Sequence, residues 1–177
     1  DFLNVTRIES GRLSLHLGPV SLKPIVTQLL NQISSNYRYH NFHVEIPEDF
    51  PMVVADADRL TQVLYNLIDN AAKYSPEGGP VVILAKKADN GNQAIISVYD
   101  KGLGIPEDEV PKLFTRFHRV YRPEVNAIRG TGLGLSIVKS LIEMMGGEVW
   151  ADSKVNQGSN FYVALPLYKT VPEAPII

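Results

Sequence analysis

A single amphipathic helix, predicted from Asp56 or Asp58 to about Tyr74, limits the choice of folds more than any other part of the sequence. Either aspartate can cap its first turn. Its apolar residues recur at helical spacing and form one stripe: Leu60, Val63, Leu64, Leu67, Ile68, Ala71 and Ala72. Such a stripe needs burial against a second layer of structure, so the chain must supply that layer.

Three polar residues lie beside this stripe. Asn66, Asn70 and Lys73 are spaced i, i+4 and i+7, which places them on one flank of the helix. Carboxamide oxygens suit a hard cation such as Mg²⁺, and the ammonium suits a phosphate. The flank taken alone is equally consistent with ordinary polar edge residues of an amphipathic helix.

The rest of the chain mixes helices and strands without regular βαβ alternation, which predicts an α+β sandwich with one helical layer. A helix begins near Ser21, and the segments 15–20 and 118–132 read as connectors. Further helices are predicted at 106–117 and 133–145. Strands are predicted at 42–46, 81–87, 94–99, 148–152 and 160–166.

Composition excludes several classes of protein. With 177 residues, 45% hydrophobic and 20% charged, the chain can form one good core, or one domain with extensions. A net charge of −2 gives no reason to expect nucleic acid or direct membrane contact. The absence of cysteine excludes disulfides and fits a reducing compartment. The apolar runs are too short to span a bilayer.

The segment DKGLGIP (residues 100–106) follows a predicted strand directly. A carboxylate such as Asp100 at a strand end can accept the exocyclic amine of adenine. Gly102 and Gly104 permit a close backbone approach that a Cβ would block. A solvated glycine turn is the plainer interpretation of this motif alone.

The segment RGTGLGLSIVK (residues 129–139) places Gly130, Gly132 and Gly134 before a helix. Free N–H groups at a helix N-terminus form a favourable phosphate site. The segment lacks the Gly-Lys-Ser/Thr of a P-loop and the preceding strand of a dinucleotide fingerprint. It therefore indicates a different kind of phosphate cradle.

Between these glycine segments lies LFTRFHRVYR (residues 113–122). Phe114 and Phe117 are expected to pack in the core. Arg116, Arg119 and Arg122 are expected to be free to reach a polyphosphate.

Together, RLTQVLYNLIDNAAKYSPEG, DKGLGIP, LFTRFHRV and GTGLGLSIVK resemble the N, G1, F and G2 boxes of sensor histidine kinases, in that order and at typical spacing. The wider GHKL superfamily includes gyrase-type ATPases, the mismatch-repair protein MutL and certain serine kinases. The resemblance covers roughly residues 20–167. It implies a two-layer α/β sandwich (the Bergerat fold), in which helices cover one face of a mixed β-sheet and a mobile lid closes over ATP.

The resemblance also implies roles for individual residues. Asn70 would bind Mg²⁺, Asn66 would lie at the phosphate or metal, and Lys73 and Arg119 would face the phosphates, with Asn66, Lys73 and Arg119 expected to take part in catalysis. Asp100 would bind the adenine amine and Tyr74 the nucleoside. The remaining expected nucleotide contacts are Gly102, Gly104, Ile105, Gly130, Thr131, Gly132, Leu133, Gly134 and Leu135.

Asn66 separates branches of this superfamily, because the ATPases and serine kinases usually have a glutamate general base there. An amide cannot take a proton from water or a serine hydroxyl. Asn66 therefore favours transfer to a histidine over ATP hydrolysis. The alternatives are a gyrase-type ATPase switch and a degenerate nucleotide-binding regulatory module.

The phosphoacceptor is expected outside this chain, because His16, His40, His43 and His118 lack a helical His-Glu-x-Arg/Lys context. The first three are expected at the surface. Residues 1–14 resemble the end of the second dimerisation helix, 15–20 a linker, 21–168 the catalytic domain and 169–177 a flexible tail. The implied partners are the dimerisation helices of a homodimeric kinase and the receiver domain of a response regulator. A cytoplasmic location follows from the same resemblance, in a parent protein with or without a membrane anchor.

Overall fold

The computed structural model describes residues 13–169. The predicted dimerisation helix and the tail therefore lie almost wholly outside the described residues. In chain order the strands are β1 (Gly18–Val20), β2 (His40–Glu45), β3 (Val53–Ala55), β4 (Gly79–Lys87), β5 (Gln93–Asp100), β6 (Glu148–Lys154) and β7 (Gly158–Pro166). The α-helices are α1 (Leu22–Ile33), α2 (Ala57–Lys73), α3 (Pro123–Asn126) and α4 (Gly134–Met144).

Five strands form one mixed sheet in the order β2-β4-β5-β7-β6. β2 runs parallel to β4, and the other neighbours are antiparallel. The hairpin between β4 and β5 turns through Asp89, Asn90 and Gly91, where the sequence predicts a turn. The α+β prediction is confirmed, with a mixed sheet as expected.

The helices α1, α2 and α4 pack on the sheet. Alternation along the strands aligns buried side chains in rows, such as Ile83, Val98 and Phe161 on β4, β5 and β7. All seven residues of the α2 stripe are at most 3% exposed. The stripe therefore forms the centre of the core between helices and sheet.

The N-terminus of α2 is fixed by Asp56, which resolves the choice between the two candidate caps. Its Oδ1 accepts hydrogen bonds from the backbone N–H groups of Asp58 and Arg59. Its Oδ2 accepts one from the N–H of His16 at 2.8 Å. Burial works to raise the pKa of Asp56, but these N–H donors outweigh it and lower the pKa below its usual value. Asp56 therefore ties the helix start to the chain that enters the domain.

Three predicted segments differ from the structure. The expected linker 15–20 contains β1, which pairs antiparallel with β3, a strand that the sequence pattern does not predict. The predicted helix 106–117 is wrong; only the 3-10 turn Val110–Lys112 forms there, because Pro111 lacks an N–H and obstructs a longer helix. The segment 118–132, hereafter the lid, contains the short helix α3.

Candidate functional site

A cavity of about 340 Å³ lies between α2, the loop after β5, the lid and the start of α4. Most residues singled out from the sequence line it: Asn66, Asn70, Lys73, Tyr74, Asp100, Gly104, Ile105, Arg119, Gly130, Thr131, Gly132, Gly134 and Leu135. Gly102 and Leu133 do not. The fold thus brings the four sequence segments to one site, as the motifs predict.

Asp100 forms the buried acceptor of this cavity. It is the last residue of β5, and its register partners are Val81 on β4 and Ser159 on β7. Strand alternation turns it to the helical face with the core residues, so the residue is only 3% exposed. Burial raises the pKa of Asp100 to about 6, against the opposing effect of hydrogen bonds from Gly102, Ser159 and Ser75.

The two glycines after Asp100 are required by packing. A Cβ on Gly102 would lie 2.2 Å from the carbonyl oxygen of Tyr74, and the Gly102 N–H donates to Asp100 Oδ1 at 2.8 Å. Gly102 therefore fixes the position of the Asp100 carboxylate through this hydrogen bond. A Cβ on Gly104, whose φ is +63°, would lie 1.8 Å from the carbonyl oxygen of Lys154. Both glycines serve contacts between backbones, a purpose the sequence alone does not reveal.

The polar flank of α2 forms a second wall. Asn66 Nδ2 is buried and has no hydrogen-bond partner among the described residues. Lys73 Nζ lies 3.5 Å from Asp69 Oδ2, and Asp69 Oδ1 accepts a 2.7 Å hydrogen bond from the Tyr37 hydroxyl. Burial and then this hydrogen bond raise the pKa of Tyr37, so the hydroxyl remains a donor. Tyr37, which follows α1, therefore holds Asp69 in place, and Asp69 in turn orients Lys73.

The start of α4 lies next to Asn66. A Cβ on Gly134 would be 3.9 Å from the Asn66 carboxamide, and no described side chain caps the first turn of this helix. The Leu133 side chain is buried at 4% exposure, and its N–H donates to Thr131 Oγ1 at 3.3 Å. Leu133 therefore anchors the helix in the core, while Gly134 and Leu135 line the cavity.

The two phenylalanines before the lid differ. Phe114 packs edge-on against Phe161, with ring centroids 6.3 Å apart. Phe117 is 63% exposed, so its predicted core position is wrong. Its φ is +58°, and its N–H donates to the carbonyl oxygen of Gly132 at 3.0 Å, which joins the two ends of the lid through the backbone.

The arginines also divide. Arg119 lines the cavity, and its Nη2 donates to the carbonyl oxygen of Ile128 at 2.6 Å, within the lid. Arg122 does not line the cavity, because its guanidinium is bonded to the loop after β5. The expectation that Arg122 is free is therefore wrong.

Sequence reasoning missed several residues of the cavity wall: Gln62, Tyr65, Asp69, Leu113, His118, Val120, Val125, Ser159 and Phe161. Gln62 stands four residues before Asn66, so the helical spacing that predicts the flank extends to it. Ser159 is placed by strand register, which no local pattern gives.

Two histidines have defined partners. His118 Nε2 lies 2.7 Å from Glu109 Oε2. His40 Nε2 lies 2.9 Å from the carbonyl oxygen of Ser75, so the expectation of a simple surface residue is wrong for His40. His16 and His43 are exposed as expected.

Within residues 13–169, no cluster of three or more histidine or acidic side chains is placed to bind a metal. The same residues contain no helix with the length and apolarity needed to cross a membrane.

Three comparisons relate the chain to known proteins. Residues 55–169 match the family described as histidine kinase-, DNA gyrase B-, and HSP90-like ATPase. The adaptive-response sensory kinase SasA of Synechococcus elongatus is 34% identical over 175 residues, which cover 97% of this chain and 44% of SasA. The sensor histidine kinase WalK of Bacillus subtilis is 34% identical over 98% of this chain and 28% of WalK. The chain thus spans less than half of these relatives.

Solved structures show the same relationship to histidine kinases. The crystal structure of full-length ShkA in complex with AMPPNP superposes with a TM-score of 0.79 at 28% identity, covering 97% of this chain and 35% of ShkA. The catalytic domain of the histidine kinase ThkA superposes with a TM-score of 0.74 at 28% identity, covering 86% of this chain and 99% of that domain. With its fold, its cavity and these matches, the chain belongs to the histidine kinase-, DNA gyrase B- and HSP90-like ATPase family.

Proposed function

We propose that this chain is the catalytic ATP-binding part of a sensor histidine kinase. It binds Mg-ATP and transfers the γ-phosphoryl group to a histidine on a dimerisation helix outside this chain. The phosphoryl group then passes to an aspartate of a response regulator. The observation that carries the proposal is the polarity of the cavity.

One end of the cavity has the buried carboxylate of Asp100, and the other has the carboxamide of Asn66 beside the start of α4. Asp100 lies against Ser75, just beyond the C-terminal end of α2. Asn66 stands nine residues before Ser75, which is about 13 Å along the helix axis. A nucleotide has the same polarity, with a base that donates from its amine at one end and phosphates at the other. Guanine has a carbonyl where adenine has this amine, so it would leave the buried carboxylate unpaired at a cost of about 1–3 kcal/mol.

The phosphate end fits a magnesium ion. Asn70 and Asn66 offer carboxamide oxygens, and the unpaired Nδ2 of Asn66 offers a donor for a phosphate oxygen. Bound Mg²⁺ would neutralise negative charge on the phosphates. Lys73 and Arg119 line the cavity, and in this proposal they hold the phosphates together with the N–H groups at the start of α4.

The acidic residues that line the cavity favour transfer to histidine over hydrolysis. Among the described residues that line it, the carboxylates are Asp69 and Asp100, and none is a glutamate. Asp69 is bonded to Tyr37 and paired with Lys73, and Asp100 lies at the base end. In this proposal neither carboxylate activates water at the γ-phosphate, and an acceptor imidazole needs little activation.

The test is phosphorylation of a separately supplied dimerisation domain. Asn70→Ala should abolish it, and Asn41→Ala, which removes an exposed carboxamide from β2, is the matched control. Undiminished transfer by Asn70→Ala would refute the metal assignment. Multi-turnover phosphate release without an acceptor would instead favour an ATPase switch, and failure of calorimetry to detect ATP binding would favour a degenerate module.

A further inference from the structure

Arg122 links the lid to the loop after β5, here called the G1 loop (residues 101–105). Its Nη1 donates to the carbonyl oxygens of Leu103 at 3.2 Å and Gly104 at 3.1 Å. Its Nε lies 3.6 Å from Glu124 Oε2, and its side chain is only 15% exposed. One cation therefore bonds two backbone acceptors that are 18 and 19 residues away in sequence.

The G1 loop is itself fixed on two other sides. The Leu103 N–H donates to the carbonyl oxygen of Tyr74 at the end of α2, and the Asn156 N–H donates to the Leu103 carbonyl oxygen. The Ile105 N–H donates to Ser153 Oγ at 2.9 Å. Leu103 is thus bonded to α2, to the turn between β6 and β7, and to the lid through Arg122. The Arg122 guanidinium therefore attaches the lid to a loop that is itself bonded to two other parts of the fold.

This attachment divides the lid. Arg122 directly precedes α3, and Val125 of α3 is buried and lines the cavity. The part that can swing on the cavity is then residues 123–131, because Arg122 is attached to the loop that holds Gly102 against Asp100, and Gly132 is bonded to Phe117. The height of α3 above the cavity depends on where Arg122 is held.

We propose that Arg122 is a positioning residue that clasps the first part of the lid to the G1 loop and so sets the closed position of the lid over the nucleotide. This inference rests on the proposed function. Arg122 touches no phosphate in this role. It acts through Leu103 and Gly104, so its contribution is the same for any nucleotide that carries the adenine and closes the lid.

The test compares Arg122→Met with the wild-type chain by calorimetry using ADP and ATP. Loss of a charge-assisted hydrogen bond predicts Kd values about 10-fold higher, by the same factor for both nucleotides. Arg122→Lys should recover part of the affinity, because one ammonium can donate to both carbonyls. Arg38→Met, which removes an exposed arginine away from the cavity, should leave both Kd values unchanged.

The binding stoichiometry separates positioning from simple structural support. A structural residue would lower the fraction of competent protein and leave the Kd of that fraction unchanged, whereas a clasp changes the Kd at full stoichiometry. A loss that grows from ADP to ATP would mark Arg122 as a phosphate ligand and overturn the proposal. Unchanged Kd values for Arg122→Met would overturn it as well.

Hydrogen exchange in the nucleotide-free protein tests the clasp without any ligand. Arg122→Met should speed exchange of the amide hydrogens of residues 124–128 several-fold and leave those of α2 unchanged. Exchange identical to wild type would refute the clasp. If the wild-type chain bound no nucleotide, the proposed function would fail, and this exchange measurement would still decide whether Arg122 holds the lid.

Discussion

The helix α2 and the lid face each other across the cavity, but different interactions hold them. α2 contributes seven buried apolar side chains and an aspartate cap. Among the described residues of the lid, Val125 is the buried one, and Val120 packs partly buried against the core. Polar bonds add to these two contacts: Arg119 to Ile128, Arg122 to the G1 loop, and Phe117 to Gly132 through the backbone. Apolar burial supplies most folding free energy, so the helix should open only with global unfolding and the lid at far lower cost.

This contrast has a functional reason. In the proposed function, the amide and ammonium groups of α2 hold metal and phosphate, which requires the fixed positions that a packed helix provides. A lid must release product, which hydrogen bonds permit because each can exchange for a bond to water.

The largest effect is expected from truncation in the core. Leu64 is fully buried, so Leu64→Ala should lower the free energy of unfolding by about 2–5 kcal/mol. Val125→Ala, a truncation in the lid that removes one carbon fewer, should lower it by less than about 1 kcal/mol, since α3 has only four residues and can loosen locally. Urea denaturation measures both. Equal losses would show that the lid folds as part of the core.

Asp100 should stabilise its ligand at the expense of the nucleotide-free fold. Its pKa, raised to about 6 by burial, means that the folded state binds a proton more tightly than the unfolded state. Stability should therefore increase as pH falls from about 6 towards 4. Asp100→Asn should raise the free energy of unfolding at pH 7 by at most about 3 kcal/mol and weaken ATP binding.

Urea denaturation across this pH range and calorimetry with ATP measure the two effects of Asp100→Asn. Asp49→Asn, at an exposed carboxylate, is the control and should change neither. If Asp100→Asn lowered stability at pH 7, the buried carboxylate would not destabilise the nucleotide-free fold, and the prediction would be wrong.

Asp56 should show the opposite pH dependence. Its lowered pKa means that the ionised cap contributes stability above the usual carboxyl pKa, and that this stability is lost as pH falls through the lowered folded value. Asp56→Ala should cost about 0.5–2 kcal/mol at pH 7, whereas Asp58→Ala, at an exposed neighbour, should cost less. Denaturation at pH 7 and pH 3 measures this. A loss for Asp56→Ala as large at pH 3 as at pH 7 would argue against the cap.

The smallest global effect is expected at Gly132. Its φ is +71°, and a Cβ there would lie 2.9 Å from the Phe117 carbonyl carbon. Gly132→Ala should break the backbone bond between the lid ends and change global stability by less than about 0.5 kcal/mol, because the strain relaxes locally. Faster hydrogen exchange of the Phe117 amide would show that this backbone bond is broken. Gly130→Ala, where the nearest described atom is 3.8 Å away, is the control.

The sequence predicted much of the site, because its elements are local patterns. Helical spacing gave Asn66, Asn70 and Lys73 one flank, and all three line the cavity. The three glycines at and before the start of α4 also line the cavity. The motifs also predict nucleotide contacts at Gly102 and Leu133, which do not line the cavity, because a motif shows which residues cluster and does not show which of them face inward.

What the sequence by itself determined is the set of elements with one strong period: the α2 stripe, the β4–β5 hairpin and the start of α4. Only the tertiary structure decided the features that depend on contacts across long stretches of chain. These include the pairing of β1 with β3, the burial of Asp100 opposite Ser159, and the bond from Arg122 to the G1 loop. Periodicity depends on residues that are neighbours in the sequence. Strand register and the partners of the Arg122 guanidinium depend on the packing of the whole domain.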